Sequence, residues 1–214
     1  MSLALRLRAE FLGTAFLLAA VVGSGIMAER LAGGNVALAL LANALATAGV
    51  LYALILALAP VSGAQFNPAV SLALAMDGGL PWREVPAHVL TQVAGAVTGV
   101  MAAQAMFGLP LLELSTRVRT GPAQWFSECV ASFGLLSLIL LLRRERAAAI
   151  PGAVAAYILG AYWFTASTSF ANPAVTLARA LTESFAGIRL ADVPGFVLAQ
   201  LLAVPLAAWA WRRA

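Results

Sequence analysis

The chain has 214 residues, of which 62% are hydrophobic and 10% charged, and its mean hydropathy is +0.92. A soluble domain of this size has no room to bury so large an apolar fraction, so the composition excludes an ordinary soluble protein and indicates that lipid surrounds most of the chain. The net charge is +4, yet the basic residues, all arginines, lie in short clusters between apolar stretches, which argues against nucleic-acid binding.

Six apolar stretches are long enough to cross a membrane. In chain order they are residues 9–29, 36–58, 86–107, 123–142, 150–167 and 194–211. The first follows Arg6 and Arg8 as a cleaved signal peptide would, but its length of about twenty residues matches about 30 Å of hydrocarbon and favours a retained span. The sequence therefore predicts an all-α membrane protein with six transmembrane helices.

Two shorter apolar segments, residues 67–76 and 172–181, would form helices about 15 Å long, which is half the membrane thickness. Each half of the chain then has the same order: a span with a glutamate, a second span, a short segment and a span with a glutamine. An odd number of spans in each half requires the two halves to be inverted relative to each other. We expect a single domain, residues 1–214, with halves 1–107 and 122–214 and a connector at 108–121.

The arginines predict the orientation of the six spans. With six spans both termini lie on one side, and that side collects Arg6, Arg8, Arg83, Arg143, Arg144, Arg146, Arg212 and Arg213. The other side has the remaining five arginines. Because arginine-rich loops stay in the cytoplasm, we expect both termini to be cytoplasmic in a multi-pass protein of the plasma or inner membrane.

Each short segment opens with Asn-Pro-Ala, at Asn67-Pro68-Ala69 and Asn172-Pro173-Ala174. Asparagine is a good N-cap, and proline in the first helical position loses no hydrogen bond. Helices this short begin in mid-membrane, where the preceding non-helical backbone must be buried or line a watery cavity. One such motif would more often cap a surface helix. Two, in inverted halves, would meet near the midplane and form a pore for small uncharged solutes that repels cations by its helix dipoles.

The chain resembles the aquaporin and glycerol-facilitator family in AEFLGT (9–14), SGAQFNPAV (62–70) and FANPAV (170–175). The resemblance covers essentially the whole chain. It implies six tilted spans with two re-entrant half-helices, a pore in every subunit, no cofactor and assembly as a homotetramer in the lipid bilayer.

The resemblance also implies a selectivity filter at Thr47, Gly160, Ser169 and Val175. Water-selective members carry large aromatic, His and Arg side chains at these positions, whereas this chain carries small ones. Val175 occupies the place of the family's filter arginine. We therefore expect a wide, weakly polar filter for glycerol-like polyols, urea and neutral acids of arsenic(III), antimony(III) or boron. The chain is similar to a bacterial subgroup associated with arsenic resistance that also carries Val after the second motif.

The remaining ionisable residues have less specific interpretations. By the resemblance, Glu10 and Glu128 accept hydrogen bonds from the re-entrant loops and hold them in place, the alternative being a proton relay. Arg179 is expected to pair with Glu183 or with loop carbonyls, and the alternative is that it lines the pore. His88 begins the third span, where a titratable ring offers a second hypothesis, gating of the cytoplasmic mouth.

Other functions remain as alternatives. No set of residues has the spacing of a metal site or a catalytic triad, so we expect no enzyme and no metal. A water-selective aquaporin is the nearest alternative function. An ion-coupled secondary transporter also uses inverted repeats and broken helices, but it usually needs an ionisable site near the midplane. A structural membrane protein with an occluded pore is the third alternative.

Overall fold

The computed structural model describes residues 1–212 and folds them into eight α-helices without any β-strand. They are α1 (Leu3–Leu31), α2 (Val36–Ser62), α3 (Pro68–Met76), α4 (Val85–Met106), α5 (Pro122–Glu145), α6 (Ile150–Phe164), α7 (Pro173–Arg179) and α8 (Val193–Ala210). Short 3₁₀ turns lead into α4, α6 and α8. With these turns, six helices are long and apolar enough to span a bilayer. The prediction of an all-α, multi-pass membrane protein with two short helices is confirmed.

The predicted boundaries differ from the helices at several ends, and α2 and α5 run on to Ser62 and Glu145, beyond the predicted 58 and 142. Helix α1 begins at Leu3, where Ser2 caps it, because the two early arginines continue the helix. Helix α6 ends at Phe164, since Thr165 is extended (φ −113°, ψ 140°) and starts the second re-entrant loop. Helix α7 ends at Arg179, two residues earlier than expected. Arg213, one of the arginines in the orientation argument, lies outside the described residues.

Helix packing in the two halves follows one pattern. In the first half α1 packs on α2 and α4, and in the second half α5 packs on α6 and α8. The short helices cross between halves, since α3 packs on both α4 and α8 and α7 packs on the same two helices. Helices α2 and α6 also pack on each other. This recurrence agrees with a repeat, although the exact limits of the halves stay a prediction.

Glycines allow α1 and α4 to pack at close range. A Cβ added at Gly95 would collide with the carbonyl of Phe11, and one added at Gly99 would collide with the carbonyl of Ala15. Backbone atoms have nowhere to move in a packed helix pair, so only glycine fits these two positions. The close packing fixes α1 against α4 and so places Glu10 beside Gln92.

The connector between the halves is bound to the loop that follows α7. Ser115 N donates to Ala180 O at 3.0 Å, Arg189 N donates to Arg117 O at 2.7 Å, and Arg119 N donates to Asp192 Oδ2 at 2.9 Å. Residues 108–121 and 180–192 therefore form one surface, which we call the connector face. By the order of the spans, this face lies opposite the chain termini.

Candidate functional site

A cavity of about 360 Å³ runs among α1, α2, α5 and α6 and contacts both re-entrant loops. Its walls include residues 62–67 and 169–172, the loop segments that lead into α3 and α7. Apolar side chains such as Leu51 and Val154 supply most of the remaining wall. The lining extends from Arg143, near the turn between α5 and α6, to Arg179 at the end of α7. These ends lie towards opposite faces of the molecule, so the cavity has the course of a pore.

The two Asn-Pro-Ala motifs meet inside this cavity. Asn67 Nδ2 donates to Ala171 O at 2.8 Å, and Asn172 Nδ2 donates to Phe66 O at 2.8 Å. Each amide therefore binds the loop that carries the other motif. An amide nitrogen has two hydrogens, so each asparagine keeps one N–H for a group in the cavity. Both asparagines line the cavity.

The same two side chains start the short helices. Asn67 Oδ1 accepts from Ala69 N at 2.9 Å, and Asn172 Oδ1 accepts the matching bond from Ala174 N at 3.0 Å. Pro68 and Pro173 occupy the first helical positions, where a missing N–H costs nothing. Because the oxygen is bound to the helix, the nitrogen of each amide is fixed towards the opposite loop and the cavity. The motif residues thus orient the amides, while only the asparagines line the cavity.

Left-handed backbone precedes each asparagine at equivalent places. Ala64 (φ 48°) and Phe66 (φ 51°) lie three and one residues before Asn67, and Ser169 (φ 52°) and Ala171 (φ 46°) lie three and one residues before Asn172. Non-glycine residues adopt this region at a cost and keep it only when their surroundings impose it. The conformation leaves successive loop carbonyls outside any helix, along the cavity wall.

Glu10 imposes the conformation of the first loop. Its carboxyl oxygens accept from Ser62 Oγ at 2.7 Å, Gln65 N at 3.0 Å, Phe66 N at 2.7 Å and Gln92 Nε2 at 2.9 Å. Glu10 is fully buried and does not line the cavity. A buried carboxyl surrounded only by donors stabilises one loop geometry and no other.

Glu128 holds the second loop in the same way. It accepts from Phe170 N at 2.9 Å, Ala171 N at 2.8 Å and Gln200 Nε2 at 2.6 Å. Gln200 also donates to Thr176 Oγ1 at 2.8 Å, which connects the loop to α7. The contacts of both glutamates favour the loop-supporting role over a proton relay, because neither side chain reaches the cavity.

Three of the four expected filter residues line the cavity, namely Thr47, Ser169 and Val175. Gly160 does not, because it lies on the exposed face of α6 with open space around its Cα. Tyr162 lines the cavity from α6 instead, and its hydroxyl donates to Thr47 Oγ1 at 3.3 Å. Residues two apart in a helix lie about 200° apart around its axis, so Gly160 and Tyr162 cannot both face the cavity. On α6, Tyr162 rather than Gly160 therefore lines the cavity, and the filter assignment stays a prediction.

Arg179 lines the cavity and is 2% exposed. Its Nε donates to Ala186 O, and its Cζ lies 3.4 Å from the centre of the Phe170 ring. It makes no contact with Glu183, which instead accepts from Thr116 N at 2.6 Å and from Thr116 Oγ1 at 2.9 Å. The expected pairing with Glu183 is wrong. Arg179 reaches a loop carbonyl and also faces the cavity.

The terminal side of the cavity also contains a residue that the sequence did not single out. Arg143 lines the cavity there and forms an ion pair with Asp77. In the sequence, Arg143 at the end of an apolar span indicated only which side of the membrane the loop occupies. His88 is fully buried, with Nδ1 3.0 Å from Glu84 O, and is not part of the cavity wall. His88 therefore has no direct contact with the cavity, and its gating role stays a hypothesis.

Comparisons with known proteins agree with this geometry. Residues 2–169 match the family model described as Major intrinsic protein. Aquaglyceroporin AqpS of Rhizobium meliloti (strain 1021) is 58% identical over 194 residues, which cover 91% of this chain and 83% of that protein. Aquaporin NIP6-1 of Arabidopsis thaliana is 31% identical over 162 residues, 75% of this chain and 51% of that protein, so the chain spans about half of its length. The X-ray structure of the aquaglyceroporin from Plasmodium falciparum has a TM-score of 0.75, covering 100% of this chain and 97% of that one at 19% identity, which shows a shared fold.

Proposed function

Because the chain belongs to the major intrinsic protein family, we propose that it is a passive membrane channel for small uncharged solutes. The observation that carries the proposal is the meeting of Asn67 and Asn172 in one cavity, each with one N–H bound to the opposite loop and one remaining. A solute oxygen that reaches this point accepts from two fixed donors. Loop carbonyls on either side accept from its hydroxyls in turn.

Passive flux follows from the charges along the path. Among the described lining residues there is no carboxylate, lysine or histidine, and the charged ones are Arg143 and Arg179. A carrier driven by protons or sodium ions usually needs an ionisable or cation-binding group that changes access. The two buried glutamates lie behind the loops and are satisfied by loop donors. A neutral solute therefore moves down its own gradient.

The proposed solutes are glycerol-like polyols and neutral metalloid acids such as arsenite or methylated arsenicals, together with water. Thr47, Tyr162 and Ser169 place hydroxyls on the filter wall, and Val175 adds an apolar side. The Ser169 hydroxyl has no protein partner among the described residues, so a polar group without a hydrogen bond lies beside the cavity. A wall that combines residues bearing hydroxyls with an apolar one suits molecules with several hydroxyls and one apolar side. The name of the relative AqpS, an aquaglyceroporin, agrees with this class.

Tyr162 favours a second candidate, a water-selective channel. Its ring occupies a filter position that a glycine would have left open, so the filter is less wide than the sequence indicated. Its hydroxyl, however, is directed to Thr47 rather than across the cavity. The relative rates of water and glycerol decide between the two candidates.

We further propose a single channel domain, assembly as a homotetramer with one pore per subunit, no cofactor, and both termini in the cytoplasm. Tetramer assembly is supported by the family membership, and the orientation by the excess of arginine on the terminal side. Cross-linking in native membranes would test the assembly. Protease access in vesicles of known orientation would test the side of the termini.

The proposed function is tested by stopped-flow light scattering of proteoliposomes in gradients of glycerol, urea, arsenite or an impermeant sugar. The wild-type protein should raise the glycerol and arsenite rates well above those of empty liposomes. Val175→Arg places a large cation in the filter. A barrier about 1.4 kcal/mol higher lowers a rate tenfold, so the glycerol rate should fall at least about tenfold. Val118→Arg, in the exposed connector, is the matched control and should leave the rates unchanged. If the glycerol rate and the arsenite rate are each the same in Val175→Arg as in the wild type, the proposed filter is contradicted.

A further inference from the structure

The position after the second Asn-Pro-Ala motif carries no charge, which raises the question of what excludes cations from this pore. Val175 is apolar and lines the cavity. Arg179 lies four residues later on α7, so both side chains face the same side, one helical turn or about 6 Å apart. The cavity wall therefore contains a guanidinium near the filter, displaced towards the connector face.

Arg179 is held so that its terminal nitrogens remain available. Its Nε is bound to Ala186 O and its plane lies against Phe170. Guanidinium has five N–H groups, and the four on the Nη atoms donate to no acceptor within residues 1–212. Arg179 is 2% exposed and lines the cavity, so its Nη groups are the donors that a solute in the cavity can reach.

Arg119 lies near Arg179, but all of its side-chain nitrogens are bound to protein carbonyls. Its three nitrogens are directed to the carbonyls of Gly187 (2.8 Å), Ser167 (3.5 Å) and Phe185 (3.4 Å), and it does not line the cavity. Its Cζ lies 5.2 Å from the centre of the Phe170 ring. Arg119 therefore supports the ring against which Arg179 packs, and it adds a second positive charge behind it.

No carboxylate forms an ion pair with Arg179 among the described residues. Asp192 is bound to Arg189 at 2.8 Å and to the Arg119 backbone, and Glu183 is bound to Thr116. Glu128 lies in the same half, but its oxygens accept from loop amides and from Gln200. The positive charge near the filter thus has no direct counter-ion.

We propose that the Arg179 guanidinium is the specificity-determining cation barrier of this pore and a hydrogen-bond donor to neutral solutes, one turn from the apolar filter position. A cation that comes within about 6 Å of this charge meets, at an effective dielectric constant of about 20, a repulsion that lowers its local concentration about 100-fold. A neutral solute meets no such repulsion, and its oxygens can accept hydrogen bonds from the Arg179 Nη groups. The proposal rests on the pore function proposed above.

Urea and guanidinium test the barrier because they share size and planar shape and differ in charge. In proteoliposomes, the wild-type protein should pass urea and exclude guanidinium. Arg179→Gln should keep the urea rate within about threefold and raise the guanidinium rate at least tenfold. Arg30→Gln removes an arginine from the same side of the molecule without altering the cavity wall, and it should behave as wild type.

Arg179→Lys provides a second variant that keeps the charge. It should exclude guanidinium at pH 5 and lose the exclusion by about pH 10, because burial lowers the pKa of a lysine amine below 10.4. This measurement decides the matter even where the Gln variant fails to reconstitute.

The outcomes separate this inference from the function on which it rests. A wild-type protein that passes neither urea nor glycerol would refute the pore. A wild-type protein that passes guanidinium at the urea rate, or a Lys variant whose exclusion is independent of pH, would refute the barrier and leave the pore intact.

Discussion

Glu10→Gln is the sharpest test of how the re-entrant loops are held. The substitution preserves the size of the side chain and removes one acceptor oxygen and the charge. In the structure Oε1 accepts from Ser62 Oγ and Gln65 N, and Oε2 accepts from Phe66 N and Gln92 Nε2. A glutamine amide in either orientation therefore places an NH₂ group against two donors.

The size of the effect follows from these contacts. Two buried donors lose their acceptor at about 1.5–3 kcal/mol each, so Glu10→Gln should lower the free energy of unfolding by about 3–6 kcal/mol. If Gln92 turns its amide, one donor remains without an acceptor and the loss falls to about 1.5–3 kcal/mol, because Oε1 of Gln92 is buried without a partner within residues 1–212 and can accept from the new NH₂. Glu128→Gln should lose less, about 1.5–3 kcal/mol, since Oε1 of Glu128 accepts only from Phe170 N.

The assay is unfolding in mixed micelles with increasing SDS, followed by tryptophan fluorescence, with solute flux measured on the same preparations. Glu29→Gln is the control, because Glu29 is an exposed residue paired with Arg117. It should cost less than about 1 kcal/mol. A Glu10 variant as stable as wild type would refute the anchoring role. So would solute flux that becomes dependent on a proton gradient, which would indicate a relay.

Two further predictions concern packing and pH. Gly99→Ala should separate α1 from α4 and reduce folded yield severalfold in size-exclusion chromatography, because its Cβ meets the Ala15 carbonyl, whereas Gly49→Ala, with open space around it, should be tolerated. The Thr116 backbone amide lowers the pKa of Glu183 below its usual 4.5, so the pair stabilises the connector face above that pH and loses its effect as the pH falls through the lowered value. Glu183→Gln should therefore lower the melting temperature at pH 7 and cost progressively less as the pH falls below 4.5; a loss that does not shrink with falling pH would contradict this linkage.

Much of the fold was predictable because the membrane permits few solutions. Apolar length identifies the spans, since lipid leaves the backbone no other partners, and Asn-Pro before an apolar segment too short to span identifies a helix that begins within the membrane. The ends were less predictable. Thr165 leaves the helix within an apolar stretch, so the end of α6 depends on the path of the loop and not on composition.

The site was predictable where a side chain also has a local structural role, such as capping a helix. Asn67 and Asn172 cap helices, which fixes both amides once the halves meet. The filter position on α6 lacked such a marker. Counting from the family pattern selected Gly160, whereas helix phase selects Ile158 and Tyr162, which lie one turn apart and both line the cavity. A shift of two residues along a helix reverses the face, so a count without a local motif does not fix which side chains line the cavity.

Arg179 shows why a rule about helical neighbours failed here. An Arg and a Glu four residues apart face each other only when the helix continues through both, and α7 ends at Arg179. Beyond it the chain turns into the connector face, where Glu183 finds a backbone amide of Thr116, a partner 67 residues away in sequence. Arg179 is left with a carbonyl, an aromatic ring and the cavity. The end of a half-helix thus converts what the sequence suggests is a surface ion pair into an unneutralised charge beside the solute path.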